Sequence, residues 1–354
     1  MCDAAIKAIN EGFHGYTMNT GMPELREAIV EKLKRDNGLD FAPSQIVCSN
    51  GAKQSLGFSM LALIDPGDEV IIPAPYWVSY PQMVKLAEGT SVTIRTAFEN
   101  DYKMTAEPAR GGDHRQNQGV DSLFLPQIPP GTPYTADELR ALSGMSPSTD
   151  PDVALISDEI YEYITFEGSH DGILQVAPEL KDRTLVINGF SKGFAMTGWR
   201  LGYMAGPQKV VDAVAKIQSQ ETSAPSAISQ KAGEAAYRGS LDEVTSMRDQ
   251  FKKRRDYMVD ALSAIDGVKC FKPAGAFYVF PDISAHLGKT VKATGEKIET
   301  STDLCMFLIE EVGLAAVPGD AFGEPNGIRL SYASAMEDLK EGIKRLEKGL
   351  TELS

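Results

Sequence analysis

Lys192 stands alone among small and apolar neighbours in NGFSKGFAMTGWRLGY, residues 188–203, with Arg200 eight positions later. An ammonium in such a window costs free energy unless it has a partner or a chemical task. Asp158 closes the run VALISD, Tyr161 follows it by three residues, and Trp77 follows EVIIPAPY. The turn SNGAK, residues 49–53, follows QIVC and opens a helical pattern. Its backbone N–H groups at Gly51 and Ala52, together with the helix N-terminus, make a place for a phosphate.

These residues need elements to bring them together. MPELREAIVEKLKRDNG reads as an amphipathic helix with a proline start and an Asn-Gly stop, and CDAAIKAIN as a helix with Ala4, Ile6 and Ile9 along one face. QIVC, EVIIPA, VALISD and TLVING read as short buried strands separated by helical stretches. That alternation predicts an α/β domain with a mostly parallel central sheet flanked by helices, and ligands gather at the carboxyl ends of such strands. After MAGPQKVVDAVAKIQSQ the pattern changes to a long charged helix, short strands and a terminal helix. A large domain over 1–245 and a smaller α+β domain over 246–354 are expected, which suits a chain of 354 residues.

Composition narrows the function. With 35 Lys+Arg against 49 Asp+Glu the net charge is −14, which disfavours nucleic acid or an anionic membrane as the main partner. Cys2, Cys48, Cys270 and Cys305 lack the spacing of a zinc site or a disulfide framework, and His14, His114, His170 and His286 are scattered, so no metal is expected. No apolar run is long enough to span a bilayer. Pyridoxal 5′-phosphate requires a lysine amine for its aldehyde, a carboxylate for its pyridine nitrogen and an anion site for its phosphate, and this set of residues meets that need.

The lysine stretch closely resembles the motif of class I, fold-type I aminotransferases, in the branch of aspartate and prephenate aminotransferases. GYTMNTGMPELREAI, DPGDEVIIPAPYWVSYP, ISDEIYEYITF, GAFYVFPD, VPGDAFG and IRLSYA stand in the family's order from about residue 1 to 350. The resemblance implies pyridoxal 5′-phosphate as cofactor, with Lys192 as its Schiff-base lysine and proton carrier. Asp158 pairs with the pyridinium nitrogen, Tyr161 donates to the phenolic oxygen, and Trp77 stacks on the ring. Gly51, Ala52, Ser191 and Arg200 form the phosphate cup, with Lys53 beside it, and Tyr16 reaches that cup from the other subunit of a homodimer. Arg329 takes the substrate α-carboxylate bidentately, and Lys53 the distal carboxylate of an acidic substrate. The implied reaction moves an amino group between aspartate or glutamate and 2-oxoglutarate, oxaloacetate or prephenate in two half-reactions. A lyase or synthase on the same fold, and a non-catalytic paralogue, are the alternatives. Cytoplasm or plastid stroma is the expected compartment.

Two departures from the family stand out. No GEPDF-like segment is present, so a segment is expected before residue 1, or else an open site. Ile128 in LPQIPPG, residues 125–131, occupies the place of the asparagine of an NPTG motif, and an apolar side chain cannot donate its hydrogen bond. Back-translated and read one base later, Pro108 to Leu123 permits QLEAAITAKTKALILC, and a second step permits SNPTG in place of PQIPPG. A frameshift over 108–131 is therefore expected, leaving this region without a central strand or the active-site donor and the chain weakly folded with little activity.

Overall fold

The computed structural model describes residues 1–105, 120–126, 131, 133–144 and 153–354. Its main sheet has seven strands: β1 (Ile46–Ser49), β2 (Glu69–Ala74), β3 (Thr90–Arg95), β4 (Val120–Pro126), β5 (Ala154–Asp158), β6 (Thr184–Gly189) and β7 (Gly202–Ala205). Their spatial order is β1-β7-β6-β5-β4-β2-β3. Pairings from β3 through β6 are parallel, and β7 alone runs antiparallel to both its neighbours. The expected mostly parallel central sheet is therefore present.

Alternate residues of the central strands face two different cores. Leu155, Val186 and Tyr203 join Leu25, Ile29 and Leu33 of helix α2 (Pro23–Asn37) on one side. Ile156, Leu185, Ile187 and Met204 join Leu56 and Met60 of helix α3 (Ala52–Leu63) on the other. Both faces are covered, which is why these strands read as continuous apolar runs. A second sheet of three strands, β8 (Tyr278–Val279), β9 (Val317–Pro318) and β10 (Ile328–Ser331), is ordered β8-β10-β9. It packs with helices Asp242–Ser263, Ser301–Val312 and Met336–Thr351 around a further core. Ile160, Tyr161, Ile164 and Phe166, which follow β5 directly, belong to that core too. The segment after Asp158 is thus gripped between the two sheets.

Two expectations are corrected. Helix α1 (Cys2–Asn10) forms as read, but its buried positions are Ala5 and Ala8, while Ile6 and Ile9 stay about half exposed. The small alanines let α1 lie close against helix Ala227–Arg238, and larger residues would hold the two apart. The central sheet also keeps its strand in the doubtful region: VDSLFLP forms β4 between β2 and β5, with Leu123 opposite Leu155 and Pro126 opposite Asp158. Only four of those seven residues, Leu123 to Pro126, form an apolar run, short enough to be obscured by the polar stretch before it. Ile128 and residues 108–119 lie outside the described residues.

Candidate active site

The carboxyl ends of β1, β5 and β6 meet at one edge of the sheet, where Ser49 and Gly189 both stand opposite Gly202, and Asp158 opposite Ile187. Because β7 is antiparallel, its beginning lies at that same edge, and this brings Arg200 beside the turn after β1. The turn itself is built for close approach. Gly51 has φ 85° and ψ 159°, a region open only to glycine, and a Cβ there would stand 2.6 Å from Arg200 Nη2. A Cβ on Gly202 would stand 2.4 Å from the Ala52 amide nitrogen. Helix α3 begins at Ala52 with no side-chain cap, so its first N–H groups point outward unsatisfied by the protein's own side chains.

A cavity of about 330 Å³ opens at this edge. Ala52, Lys53, Ser191 and Arg200 line it together with Trp77, Asp158, Tyr161 and Lys192. Arg329 joins the lining from β10, its guanidinium carbon 4.4 Å from the Tyr278 ring centre and 4.5 Å from that of Phe322. Arg200 donates only to backbone carbonyls, from Nη1 to Thr197 at 2.9 Å and from Nη2 to Asn50 at 3.0 Å. Lys53 Nζ lies 4.6 Å from the Trp77 ring centre.

Charge is distributed unevenly here. Lys53, Lys192, Arg200 and Arg329 line the cavity with no carboxylate within ion-pair distance of any of them among the described residues, and Asp158 is the only acid in the lining. A chain of net charge −14 has gathered four basic side chains around one acid. Burial, and then the charge of Arg329, lowers the pKa of Lys192 and favours its neutral amine. Burial pushes the Asp158 carboxyl up to about 7, against the lowering effect of hydrogen bonds from Tyr80 Oη at 2.8 Å and the Ile160 amide at 3.3 Å. Burial raises the Tyr161 hydroxyl well above its ordinary value, so it remains a donor at neutral pH. An acid, an amine with a lowered pKa and a phenol, lining one cavity with further basic side chains, can hold a polyanionic ligand and move protons on it.

A model of the family described as "Aminotransferase class I and II" matches residues 1–346. The chain belongs to the class I and II aminotransferases. It is 44% identical to an aspartate aminotransferase of Pinus pinaster over 99% of this chain and 71% of that protein. It is 42% identical to an aspartate/prephenate aminotransferase of Nitrosomonas europaea over 97% of this chain and 86% of that protein. Among solved structures, the aspartate aminotransferase of Rhizobium meliloti superposes with a TM-score of 0.94 at 41% identity, covering 99% of this chain and 88% of that one.

The aminotransferase thus brings Ala52, Lys53, Trp77, Asp158, Tyr161, Ser191, Lys192, Arg200 and Arg329 to one cavity, with Gly51 outside the lining but packed against Arg200. Tyr16 stands apart, almost fully exposed beside His14 and Ala224–Ile228. Three residues without an assigned role in the sequence also contribute. Tyr80 donates to Asp158, Tyr278 accepts a 3.0 Å hydrogen bond from Tyr161, and Tyr278 and Phe322 sandwich Arg329. Each sits inside a motif already noted, but only the folded geometry tells an aromatic that touches a charged group from one that packs. No helix among the described residues is long and apolar enough to cross a membrane.

Proposed function

We propose that this aminotransferase holds pyridoxal 5′-phosphate in the cavity and moves an amino group between aspartate or glutamate and a 2-oxo acid, namely 2-oxoglutarate, oxaloacetate or prephenate. The observation that carries this is the set of basic side chains without an ion-pair partner among the described residues, Lys53, Arg200 and Arg329, lining the same cavity as Lys192, Asp158 and Tyr161. The glycine cradle at Gly51 and Gly202, the uncapped start of α3 and Arg200 suit a phosphate, with Ser191 beside them. The indole of Trp77 suits the face of a heteroaromatic ring, and Asp158 its basic nitrogen. When bound, the cofactor supplies an electron-poor ring that accepts the electron pair left when a Cα–H bond breaks.

The chain's own groups do the rest. Lys192 Nζ, whose neutral form is favoured by desolvation and by the charge of Arg329, would accept the Cα proton and return it to the carbon on the other side of the transferred nitrogen. Asp158, locked by Tyr80, keeps a proton on the ring nitrogen. Tyr161 donates its hydroxyl to an oxygen that gains charge. Arg329, held flat between two rings, takes the α-carboxylate through both arms of its fork. Lys53, over the Trp77 ring, takes a second carboxylate. The shared names of the relatives, aspartate and aspartate/prephenate aminotransferase, support this choice of substrate. In a homodimer the exposed Tyr16 of one copy would reach the phosphate end of the other.

Substrate choice is testable by kinetics. Lys53→Gln is expected to lower kcat/KM for aspartate by about 10–100-fold and to leave alanine nearly unchanged, because only the distal carboxylate loses its partner. An equal loss with both donors would contradict the assignment of Lys53. Gly51→Ala, which puts a Cβ against Arg200, is expected to weaken pyridoxal phosphate binding at least about tenfold, as strain of a few kcal/mol at this φ, ψ implies. Fluorescence titration of the free protein reads that loss directly, and unchanged affinity would remove the turn from the phosphate site.

A further inference from the structure

Behind the cavity lies a buried polar cluster that the chemistry above does not use. The carboxylate of Glu162, next in sequence to Tyr161, is reached by three donors. Lys32 Nζ of α2 donates to Oε2, Asn188 Nδ2 of β6 donates to Oε2 at 2.7 Å, and Asn37 Nδ2 at the end of α2 donates to Oε1 at 2.8 Å. Lys32 also donates to Asn37 Oδ1 at 2.8 Å, and the Gly189 amide donates to Asn188 Oδ1 at 2.7 Å. Lys32, Asn37, Glu162 and Asn188 are all buried, Lys32 completely. One position on, Tyr163 Oη donates to Asp36 Oδ2 of α2 at 2.6 Å.

A buried ion pair seldom makes a fold more stable than apolar residues of the same size would, so stability alone gives no reason for this one. Its placement does. Glu162 lies four residues after Asp158, and Asn188 lies four residues before Lys192 and one before the end of β6. We infer that Glu162 and Asn188 are positioning residues, joined by a hydrogen bond that fixes the turn bearing Asp158 and Tyr161 against the strand end bearing Lys192, with Lys32 of α2 anchoring the join. These parallel neighbours are set in register by ladder pairs as far as Asp158 and Ile187, and the Glu159 amide adds a last bond to the Ile187 carbonyl at 2.8 Å. Beyond that point β5 leaves the sheet while β6 runs on to Gly189 beside β7, and this side-chain bridge joins the two.

The inference rests on the reading of the cavity as a pyridoxal phosphate site. Asn188→Ala cuts the bridge on the side of Lys192, whereas Asn37→Ala removes a partner of the same carboxylate on the side away from both reactive segments. Both variants are expected to lower Tm by similar amounts. Only Asn188→Ala is expected to weaken pyridoxal phosphate binding about tenfold or more and to reduce the visible circular dichroism of the bound cofactor, as a displacement of the reacting groups implies. A second variant, Lys32→Met with Glu162→Gln, removes both charges at nearly constant volume and is expected to show the same two losses. Equal affinity and equal visible dichroism in Asn188→Ala, the double variant and Asn37→Ala would overturn the inference and leave the cluster purely structural. Failure of the unmutated protein to bind pyridoxal phosphate is a different result, and it would overturn the functional reading as well.

Discussion

Lys192→Ala is expected to lower the rate of amino transfer by about 10⁴-fold, the upper range for loss of a positioned proton-transfer group, while cofactor affinity falls far less. The two effects separate because different parts of the cavity carry them. Arg200, Gly51 and the start of α3 stand together and do not depend on the lysine amine. Removing Lys192 also takes away a half-buried amine whose charged form Arg329, Arg200 and Lys53 all disfavour. The variant is therefore expected to fold at least as stably as the parent. Stopped-flow spectra with aspartate as donor, set beside a thermal melt, give both quantities. A variant that retains a tenth of the parent rate would place the proton carrier elsewhere.

Asp158→Asn should show opposite effects on activity and stability. Loss of the negative charge from the centre of the cavity is expected to cost about 10²–10³-fold in kcat, the range seen when one well-placed electrostatic group is removed. Stability moves the other way. The carboxyl rises from its ordinary 3.8 to about 7 in the folded protein, so the folded state resists ionisation and the cofactor-free chain loses stability as pH climbs through that interval. Asparagine has no charge to resist and can still accept from Tyr80. At pH 8 the free variant is expected to be more stable than the free parent by on the order of 1–4 kcal/mol, and at pH 4 the difference should vanish. Urea melts at the two pH values measure this. Equal stability of parent and variant at both would mean that the carboxylate is better solvated than its burial indicates.

The same burial explains why so much of the site was legible in the sequence. A solitary lysine in an apolar, glycine-rich window and an acid at the end of a β-branched run are costly unless used, and both fall at strand ends where ligands collect. Gly51 and Gly202 carry information because no other residue fits their places. What stayed hidden depends on distance through space. Tyr80, Tyr278 and Phe322 are ordinary aromatics until folding sets them against Asp158, Tyr161 and Arg329. Strand β7 is four residues long and leaves no period, yet its reversed direction is what carries Arg200 to the phosphate end. The polar stretch before β4 obscured a strand that pairs with β2 and β5 in the middle of the sheet. On α1 the isoleucines drew attention from the alanines that make the contact.

The central claim is that the ε-nitrogen of Lys192 is where pyridoxal phosphate attaches to this chain. Borohydride reduction of the cofactor-loaded protein, followed by proteolysis and mass spectrometry, tests it most directly. The account predicts a single pyridoxyl-phosphate adduct, on the peptide carrying Lys192. An adduct on Lys53 or on surface lysines with Lys192 unmodified, or no adduct on a folded protein, would contradict it.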